Sequence, residues 1–254
     1  MGIWRLRSDC PWHPGGRRAR GAQRCIRTGE RVLDIACGTG NTALMARARG
    51  AVVAGVDLTP ELLAVARRRA ADADYSDITW IEGDAENLPL PDGGFDVVVS
   101  SCGLMFAPDQ QKAANEVARV TSKDGRIAIQ AWTREGGVGR MFKVTNEYIP
   151  PPSGVPSPFE WGDEAKVKWL LGSAFKDYQF ERYDCPEFAD TPEQVADSFI
   201  DRYGPTHRGY HSLKASLSTN LFNRTRCLGG PDDDRRHDIV MMDDFIYGEP
   251  QLLK

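Results

Sequence analysis

The chain has 254 residues, of which 41% are hydrophobic and 27% are charged, and its net charge is −4. This balance suits one globular domain, or one domain with a modest cap, and excludes collagen-like, coiled-coil and wholly disordered chains. The acidic charge argues against a nucleic-acid partner, and charged residues interrupt every apolar run before it could span a membrane. No two of the six cysteines have the C-x2-C spacing of a metal site, so we expect reduced thiols, no metal and a cytoplasmic location.

Residues 1–30 read as an atypical arm, rich in arginine, glycine and proline and without an apolar period. Residues 1–31 hold eight arginines against Asp9 and Glu30, whereas the rest of the chain is acidic. The segment has no apolar core of the kind found in a secretory signal. Its composition is typical of disorder, and we expect a disordered arm.

Strands and helices alternate from residue 31 to residue 133, which we take as one core domain. Short apolar runs predict five buried strands: RVLDIAC, AVVAGVD, ITWIEGD, FDVVVSS and GRIAIQAW. One helix is expected to begin at Thr59 and Pro60, and a later one to begin at Asp109 and end near Gly125. This alternation predicts a parallel sheet with helices on both faces, and such sheets bind ligands at the carboxyl ends of their strands.

The regular alternation ends after Trp132, and we take residues 134–254 as a substrate cap together with the last strands of the sheet. Residues 148–162 contain five prolines, which exclude a regular helix or a central strand. This stretch suits a lid over an apolar acceptor and a rigid packed connection equally well. Beyond it, helices are predicted for KVKWLLGSAF and TPEQVADSFIDRYG and strands for YQFERYDC and IVMMDDFIY.

The turn CGTGN after the first strand gives the first indication of function. Gly38 and Gly40 allow a ligand to approach the backbone closely, and the following helix offers free N–H groups. The turn also fits the dinucleotide pattern G-x-G-x-x-G/A, and it suits an ordinary tight turn. Asp34 favours a different ligand, because a buried acid repels a phosphate and attracts a cation such as the sulfonium and ammonium of S-adenosylmethionine.

Two further acids follow strands. Asp57 ends the second strand, where its carboxylate suits two ribose hydroxyls or, alternatively, the N-terminus of the next helix. Asp84 follows the third strand, where it suits the amino group of an adenine, with the N–H of Ala85 facing a ring nitrogen; a solvated loop acid is the other interpretation. A nicotinamide dinucleotide domain has a use for Asp57 but none for the GDAENLP segment.

Together, the segments VLDIACGTGN, GVDLTPELL, GDAENLPLPDGGFDVVVS and DGRIAIQAW resemble the class I S-adenosylmethionine-dependent methyltransferases. The nearest resemblance is to the small-molecule branch that includes the ubiquinone/menaquinone C-methyltransferases, or methyltransferase type 11 group. It implies an α/β, Rossmann-like, doubly wound fold: a mostly parallel seven-stranded sheet with an antiparallel last strand and a small C-terminal cap. By this resemblance the methionine part of S-adenosylmethionine is held by Asp34, Ala36, Gly38 and Gly40, the ribose by Asp57, and the adenine by Leu58, Asp84 and Ala85, with Ser101 beside the methyl group.

Methyl transfer by in-line displacement needs no catalytic triad, since the protein mainly supplies alignment and desolvation. A general base is required only when the acceptor must lose a proton. The candidates are Tyr203, His207, Tyr210 and His211. Each of them fits a surface or packing role better, because nothing in the sequence ties them to the edge of the sheet.

We therefore predict S-adenosylmethionine-dependent methyl transfer to a small organic acceptor at oxygen, carbon or nitrogen, and the oligomeric state is left open. A non-catalytic or impaired cofactor-binding domain is one alternative, which the unusual N-terminal arm favours. An NAD-dependent oxidoreductase is a weaker one, because it shares only the glycine turn and Asp57. Cys37 is expected to be a passive small residue of the turn.

Overall fold

A computed structural model describes residues 26–188, 197, 210–211 and 238–250 of the chain. Contacts divide these residues into two compact units, one of residues 26–131, 156–182 and 244–250 and the other of residues 132–155 and the described residues from 183 to 243. The predicted arm up to residue 25 and almost all of the predicted helix TPEQVADSFIDRYG lie outside the described residues.

Seven strands of the described residues form one sheet. They are β1 (Arg31–Ile35), β2 (Val52–Asp57), β3 (Thr79–Glu82), β4 (Phe95–Ser101), β5 (Thr121–Trp132), β6 (Phe175–Phe188) and β7 (Asp238–Pro250). Their order is β3-β2-β1-β4-β5-β7-β6, and the first five in this order run parallel. The parallel core confirms the α/β Rossmann-like architecture, whereas the antiparallel last strand and the C-terminal cap stay predictions.

The strand order places the topological switch point between β1 and β4. The chain winds outward from β1 through β2 to β3, and then returns to β4 on the other side of β1. Ligands of doubly wound sheets bind in the crevice at such a point, outside the carboxyl ends of the strands. In the register of the sheet, Asp34 lies opposite Gly55 and Asp57 opposite Glu82, so both acids stand at that edge.

In the part of the chain that the structure describes, five helices and three short 3-10 helices with given bounds accompany the sheet. The helices are α1 (Asn41–Arg47), α2 (Pro60–Asp72), α3 (Gln110–Val120), α4 (Gly137–Tyr148) and α5 (Glu164–Leu171), and the 3-10 helices are Leu104–Phe106, Pro158–Gly162 and Gly172–Ala174. The proline-rich stretch thus contains one 3-10 turn, which the sequence did not predict. No helix in the described parts of the chain is long and apolar enough to cross a membrane.

Helix α3 covers the predicted segment DQQKAANEVARV, but it closes at Thr121 and not near Gly125. The carboxylate of Asp109 accepts the N–H of Lys112 at 3.0 Å and so caps the first turn. At the other end, the hydroxyl of Thr121 donates to the carbonyl of Val117 at 2.6 Å, and the backbone of Thr121 is already extended. Strand β5 therefore starts at Thr121 and includes the Asp124–Gly125 pair that the sequence assigned to a helix end.

Helix α4 is absent from the prediction, which assigned no helix or strand between Trp132 and the proline-rich stretch. Its buried face is Val138, Met141 and Val144, at the spacing of a helix. The glycines of this segment argued against a helix in the sequence analysis, because glycine has a low helix propensity. Gly139 has a packing reason to be there: a side chain at this position would collide with the carbonyl of Arg134.

Residues 26–30, assigned to the arm by composition, form a turn attached to the sheet. The N–H of Gly29 donates to the carbonyl of Gly50 at 2.8 Å, and the N–H of Val52 donates to the carbonyl of Glu30 at 2.9 Å. The side chain of Glu30 forms an ion pair with Arg126 at 2.7 Å, and both side chains are largely buried. Residues 26–30 therefore belong to the folded core and not to the predicted arm.

Candidate functional site

The turn after β1 is tied to the end of β2 through one carboxylate. Asp57 is buried, and its Oδ2 accepts the N–H of Gly38 at 2.7 Å while its Oδ1 accepts the N–H of Thr59 at 2.9 Å. Asp57 therefore does serve the N-terminus of α2, as one interpretation of the sequence had it. Each carboxylate oxygen has a second lone pair, so these two bonds leave capacity for ligand hydroxyls.

Gly38 and Gly40 are both in the left-handed region, with φ of +54° and +82°, but the reason for a glycine differs between the two positions. A Cβ on Gly40 would lie 2.6 Å from the ring of Trp80, so internal packing excludes any side chain there. Apart from the neighbouring residues in the chain, no atom lies within 4 Å of the place where a Cβ on Gly38 would stand. The space in front of Gly38 is thus free of protein atoms, which suits a turn that receives a ligand.

Two non-glycine residues beside this turn adopt the same uncommon conformation. Ala36 follows β1 with φ of +54°, and Cys102 follows β4 with φ of +55°. Gly103 lets the two turns touch, because a Cβ on it would lie 2.5 Å from the Cβ of Ala36. Such backbone strain concentrates at functional sites. The sequence analysis places Ala36 at the methionine part and expects the residues that directly follow β4, Cys102 and Gly103 among them, at the edge of the site, but it does not predict the uncommon backbone conformation of Cys102.

Asp34 is completely enclosed beneath the first turn of α1. It is 1% exposed, and its Oδ2 accepts the N–H of Ala43 at 2.9 Å. Burial raises the pKa of this carboxyl to about 8, and the negative charge of Asp57 adds to the rise. The site therefore gains a negative charge readily when a cation is placed near Asp34.

Cys37 is buried in the same turn. Burial, followed by the charges of Asp34 and Asp57, raises the pKa of its thiol far above the usual range. The protonated thiol is a poor nucleophile, which supports the passive role predicted for it.

Replacement of Asp34 by asparagine is expected to remove a specific pH dependence of stability. The unfolded carboxyl ionises near its ordinary pKa of 3.8, and the folded one near 8. Between these values unfolding releases a proton, so this group lowers the free energy of unfolding by about 1.4 kcal/mol for each unit of rising pH. Asparagine does not titrate, and its amide oxygen still accepts the N–H of Ala43. Urea unfolding of both proteins at pH 5 and pH 8 measures the effect.

The matched control is Asp77→Asn. Asp77 is an exposed acid whose hydrogen bond with Arg47 lowers its pKa, so it stays ionised in both states above pH 5. We expect the stability difference from wild type to be equal at pH 5 and pH 8 for this variant. For Asp34→Asn the difference should favour the variant more at pH 8. An equal difference at both pH values for Asp34→Asn would contradict the buried, proton-binding state of Asp34.

The residues predicted to contact adenine lie at the exposed end of the site. Leu58 is 67% exposed, which is unusual for a large apolar side chain directly after a buried strand. Asp84 is also exposed, and its Oδ1 accepts the N–H of Glu86 at 2.9 Å. Ala85, between them in the turn, is partly exposed. An apolar surface and an acidic turn are therefore both open to a ligand.

Ser101 ends β4 and bonds to the neighbouring strand. Its hydroxyl donates to the Oε1 of Gln130 on β5 at 2.9 Å. The preceding hydroxyl, of Ser100, donates to the carbonyl of Ile35 at 2.8 Å and accepts the N–H of Leu104 at 3.1 Å. These bonds fix the start of the 3-10 helix that follows β4. Gln130 was not identified from the sequence, because its partner lies 29 residues away.

The candidate bases remain predictions. Tyr203 and His207 lie outside the described residues. The rings of Tyr210 and His211 meet edge to face, with centroids 5.5 Å apart. Within the described ranges, no three His, Cys, Asp or Glu side chains cluster so as to hold a metal ion.

Comparisons with known proteins agree with this geometry. The sequence model of the family described as "Methyltransferase domain" matches residues 33–129. The chain is 39% identical over 199 residues to the uncharacterized protein Rv1403c of Mycobacterium tuberculosis, covering 75% of this chain and 70% of the relative. It is also 39% identical over 126 residues to the demethylmenaquinone methyltransferase of Thermus thermophilus, covering 48% of this chain and 57% of that protein.

A solved structure shows the same fold at lower identity. It is the phosphoethanolamine N-methyltransferase 2 of Haemonchus contortus in complex with S-adenosyl-L-methionine. The TM-score is 0.57 at 19% identity, over 94% of this chain and 54% of that one.

Proposed function

Because the chain belongs to the S-adenosylmethionine-dependent methyltransferases, we propose that it methylates a small organic acceptor at oxygen, carbon or nitrogen by in-line displacement. The observation that supports the site assignment is the glycine turn at the switch point, where the N–H of Gly38 is bound by the buried Asp57 and the place of a Gly38 side chain is open. S-adenosylmethionine supplies a methyl group already activated on a positively charged sulfur. The protein then has to bind, orient and exclude water.

The residues present fit this cofactor part by part. Asp34 and Asp57 place two carboxylates near the turn, and a cationic ligand would favour ionisation of Asp34. We propose that Asp34 and the backbone of Ala36, Gly38 and Gly40 hold the methionine part. The raised pKa of Asp34 then implies that binding at neutral pH releases a proton from this carboxyl.

The nucleoside part fits the exposed end of the site. We propose that Asp57 accepts the ribose hydroxyls with the lone pairs that Gly38 and Thr59 leave free. Leu58 offers the apolar surface against which an adenine ring packs, and Asp84 and Ala85 face its edge. A nicotinamide dinucleotide would bring phosphates toward the carboxylate of Asp57, where like charges repel, and it would place no cation at the turn to favour ionisation of Asp34.

A small acceptor is supported by charge and by one relative. Beyond residue 31 the chain is acidic, which disfavours a polyanionic acceptor such as nucleic acid. The name of the Thermus relative, demethylmenaquinone methyltransferase, contains a small-molecule acceptor. We propose that the acceptor lies beside Ser101 and the 3-10 helix Leu104–Phe106, where Phe106 is partly exposed. We further propose a cytoplasmic location, which suits the reduced, buried thiol of Cys37.

The test of this proposal uses S-adenosylmethionine with a deuterated methyl group. The purified chain is incubated with a cell extract separated into a small-molecule fraction and a macromolecular fraction, and mass spectrometry follows the label. We expect labelled product and S-adenosylhomocysteine only with the small-molecule fraction. Label in protein or nucleic acid would contradict the proposed acceptor class. Cofactor binding with no label in either fraction would indicate a binding domain without turnover.

A further inference from the structure

We infer that Arg69 of α2 is a positioning residue, which holds the glycine turn in the shape that receives the methionine part of the cofactor. The inference rests on the proposed function and concerns a residue that is not expected to touch the cofactor or the acceptor. It is carried by contacts between Arg69 and the turn, 28 to 30 residues earlier in the chain.

One nitrogen of the Arg69 guanidinium lies within hydrogen-bond distance of three acceptors of the turn, and because it carries two hydrogens, one hydrogen is shared between two of them. Its Nη1 donates to the carbonyl of Thr39 at 2.7 Å, to the hydroxyl of Thr39 at 3.0 Å and to the Oδ1 of Asn41 at 2.8 Å. These acceptors come from the middle of the turn and from the first residue of α1. Arg69 thus links α2, which starts beside Asp57, to the start of α1.

The bond to the Thr39 carbonyl completes the anchoring of one peptide plane. The other end of that peptide, the N–H of Gly40, donates to the carbonyl of Cys37 at 2.9 Å. The preceding glycine is anchored as well, since its N–H donates to Asp57. Consecutive peptide planes of a glycine turn rotate easily when they are not held, because glycine restricts them little. Arg69 removes this freedom at the Thr39–Gly40 peptide, which Asp57 does not reach.

The positive charge of Arg69 has its hydrogen-bond acceptors in the turn and not in a carboxylate. Burial lowers the pKa of this half-buried guanidinium, and no carboxylate of the described residues forms an ion pair with it. By contrast, Arg47 and Arg119 each pair with an acid. The charge of Arg69 therefore acts on carbonyl and side-chain dipoles of the turn. A preorganised site binds more tightly because less ordering remains to be done on binding.

The experiment compares two ligands that differ only in the amino-acid part. S-adenosylhomocysteine fills the whole proposed site, whereas 5′-methylthioadenosine lacks the part that the turn receives. Calorimetry measures both affinities for wild type, for Arg69→Met and for Arg68→Met. Arg68 is the neighbouring exposed arginine, so Arg68→Met is the matched control for loss of charge and for a change in α2.

We expect Arg69→Met to weaken the binding of S-adenosylhomocysteine by about tenfold. The turn must then be ordered on binding without Arg69, which costs about as much as one hydrogen bond to a charged group contributes. Binding of 5′-methylthioadenosine should stay within about twofold, and Arg68→Met should change neither. Arg69→Lys, which keeps the charge and reaches one acceptor, should recover part of the loss. Equal losses for both ligands, or no loss for either, would overturn the inference.

A second variant keeps the inference testable if Arg69→Met folds poorly. Asn41→Ala removes one of the three acceptors at an exposed position. In the wild-type background, this change should weaken the binding of S-adenosylhomocysteine and leave the binding of 5′-methylthioadenosine unchanged. In the Arg69→Lys background it should have no further effect, because we expect the lysine to bind only the Thr39 carbonyl. Loss of affinity for both ligands in Asn41→Ala would also count against a positioning role. If wild type binds neither ligand, the proposed function itself fails, which is a different result from an unaltered Arg69 variant.

Discussion

Replacement of Gly38 by valine is expected to abolish binding of S-adenosylmethionine. The space in front of Gly38 holds no protein atom within 4 Å, so the branched side chain would fill the place left for the ligand rather than disturb the core. The φ of +54° adds strain of about 1–3 kcal/mol for any residue with a side chain. Calorimetric titration and thermal unfolding of the purified variant measure binding and stability separately.

Gly29→Val is the matched control for this strain. Gly29 has φ of +83°, also with nothing within 4 Å of its missing Cβ, but it precedes β1 at the other end of the strand. Both variants should lose a similar amount of stability, and only Gly38→Val should lose the ligand. If folded Gly38→Val binds with wild-type affinity, the turn is not part of the site.

Replacement of Asp57 by alanine should make the free energy of S-adenosylmethionine binding less favourable by about 1–3 kcal/mol, the cost of losing hydrogen bonds to a charged group. Stability should fall too, because the N–H groups of Gly38 and Thr59 lose their acceptor. The two effects are separated by measuring affinity at a temperature where the variant is fully folded. Binding of both S-adenosylhomocysteine and 5′-methylthioadenosine should weaken, since both carry the ribose, and S-adenosylhomocysteine should lose more, because the N–H of Gly38 loses its anchor as well.

Asp96→Ala provides the comparison for a carboxylate with a purely structural role. Its Oδ2 accepts the N–H of Arg31 at 2.9 Å at the opposite end of β1, and it also pairs with the arginine side chain. This variant should lose stability and keep its affinity. An Asp57→Ala chain that behaves in the same way would remove Asp57 from the ribose site and leave it as a helix-capping residue.

The parallel core and the place of the site follow from local patterns. Strands buried on both faces require uninterrupted apolar runs, and these runs predict β1, β2 and β4 with nearly the observed bounds. Because the strands are parallel, the residues that follow them meet at one edge of the sheet. The amino-acid sequence therefore suffices to predict that the glycine turn, Asp57 and Asp84 are neighbours.

The features that escaped prediction depend on contacts between distant segments. Arg69 and Gln130 act on partners about 30 residues away, and no spacing rule marks them. Helix α4 was missed because its glycines were taken as a sign of irregular structure. Gly139 is in fact required by close packing against the Arg134 carbonyl, which the sequence does not show. The early end of α3 depends on a single hydroxyl, that of Thr121, which closes the helix and begins β5.

The most direct test of the central claim is calorimetric titration of the purified wild-type chain with S-adenosylmethionine, with NAD as the parallel ligand. The two ligands share the adenosine that suits Asp57, but only S-adenosylmethionine brings a cation toward Asp34. We predict binding of S-adenosylmethionine with micromolar affinity, with proton release near neutral pH, and no measurable binding of NAD. Binding of NAD alone, or of neither ligand by a folded chain, would contradict the assignment of this site.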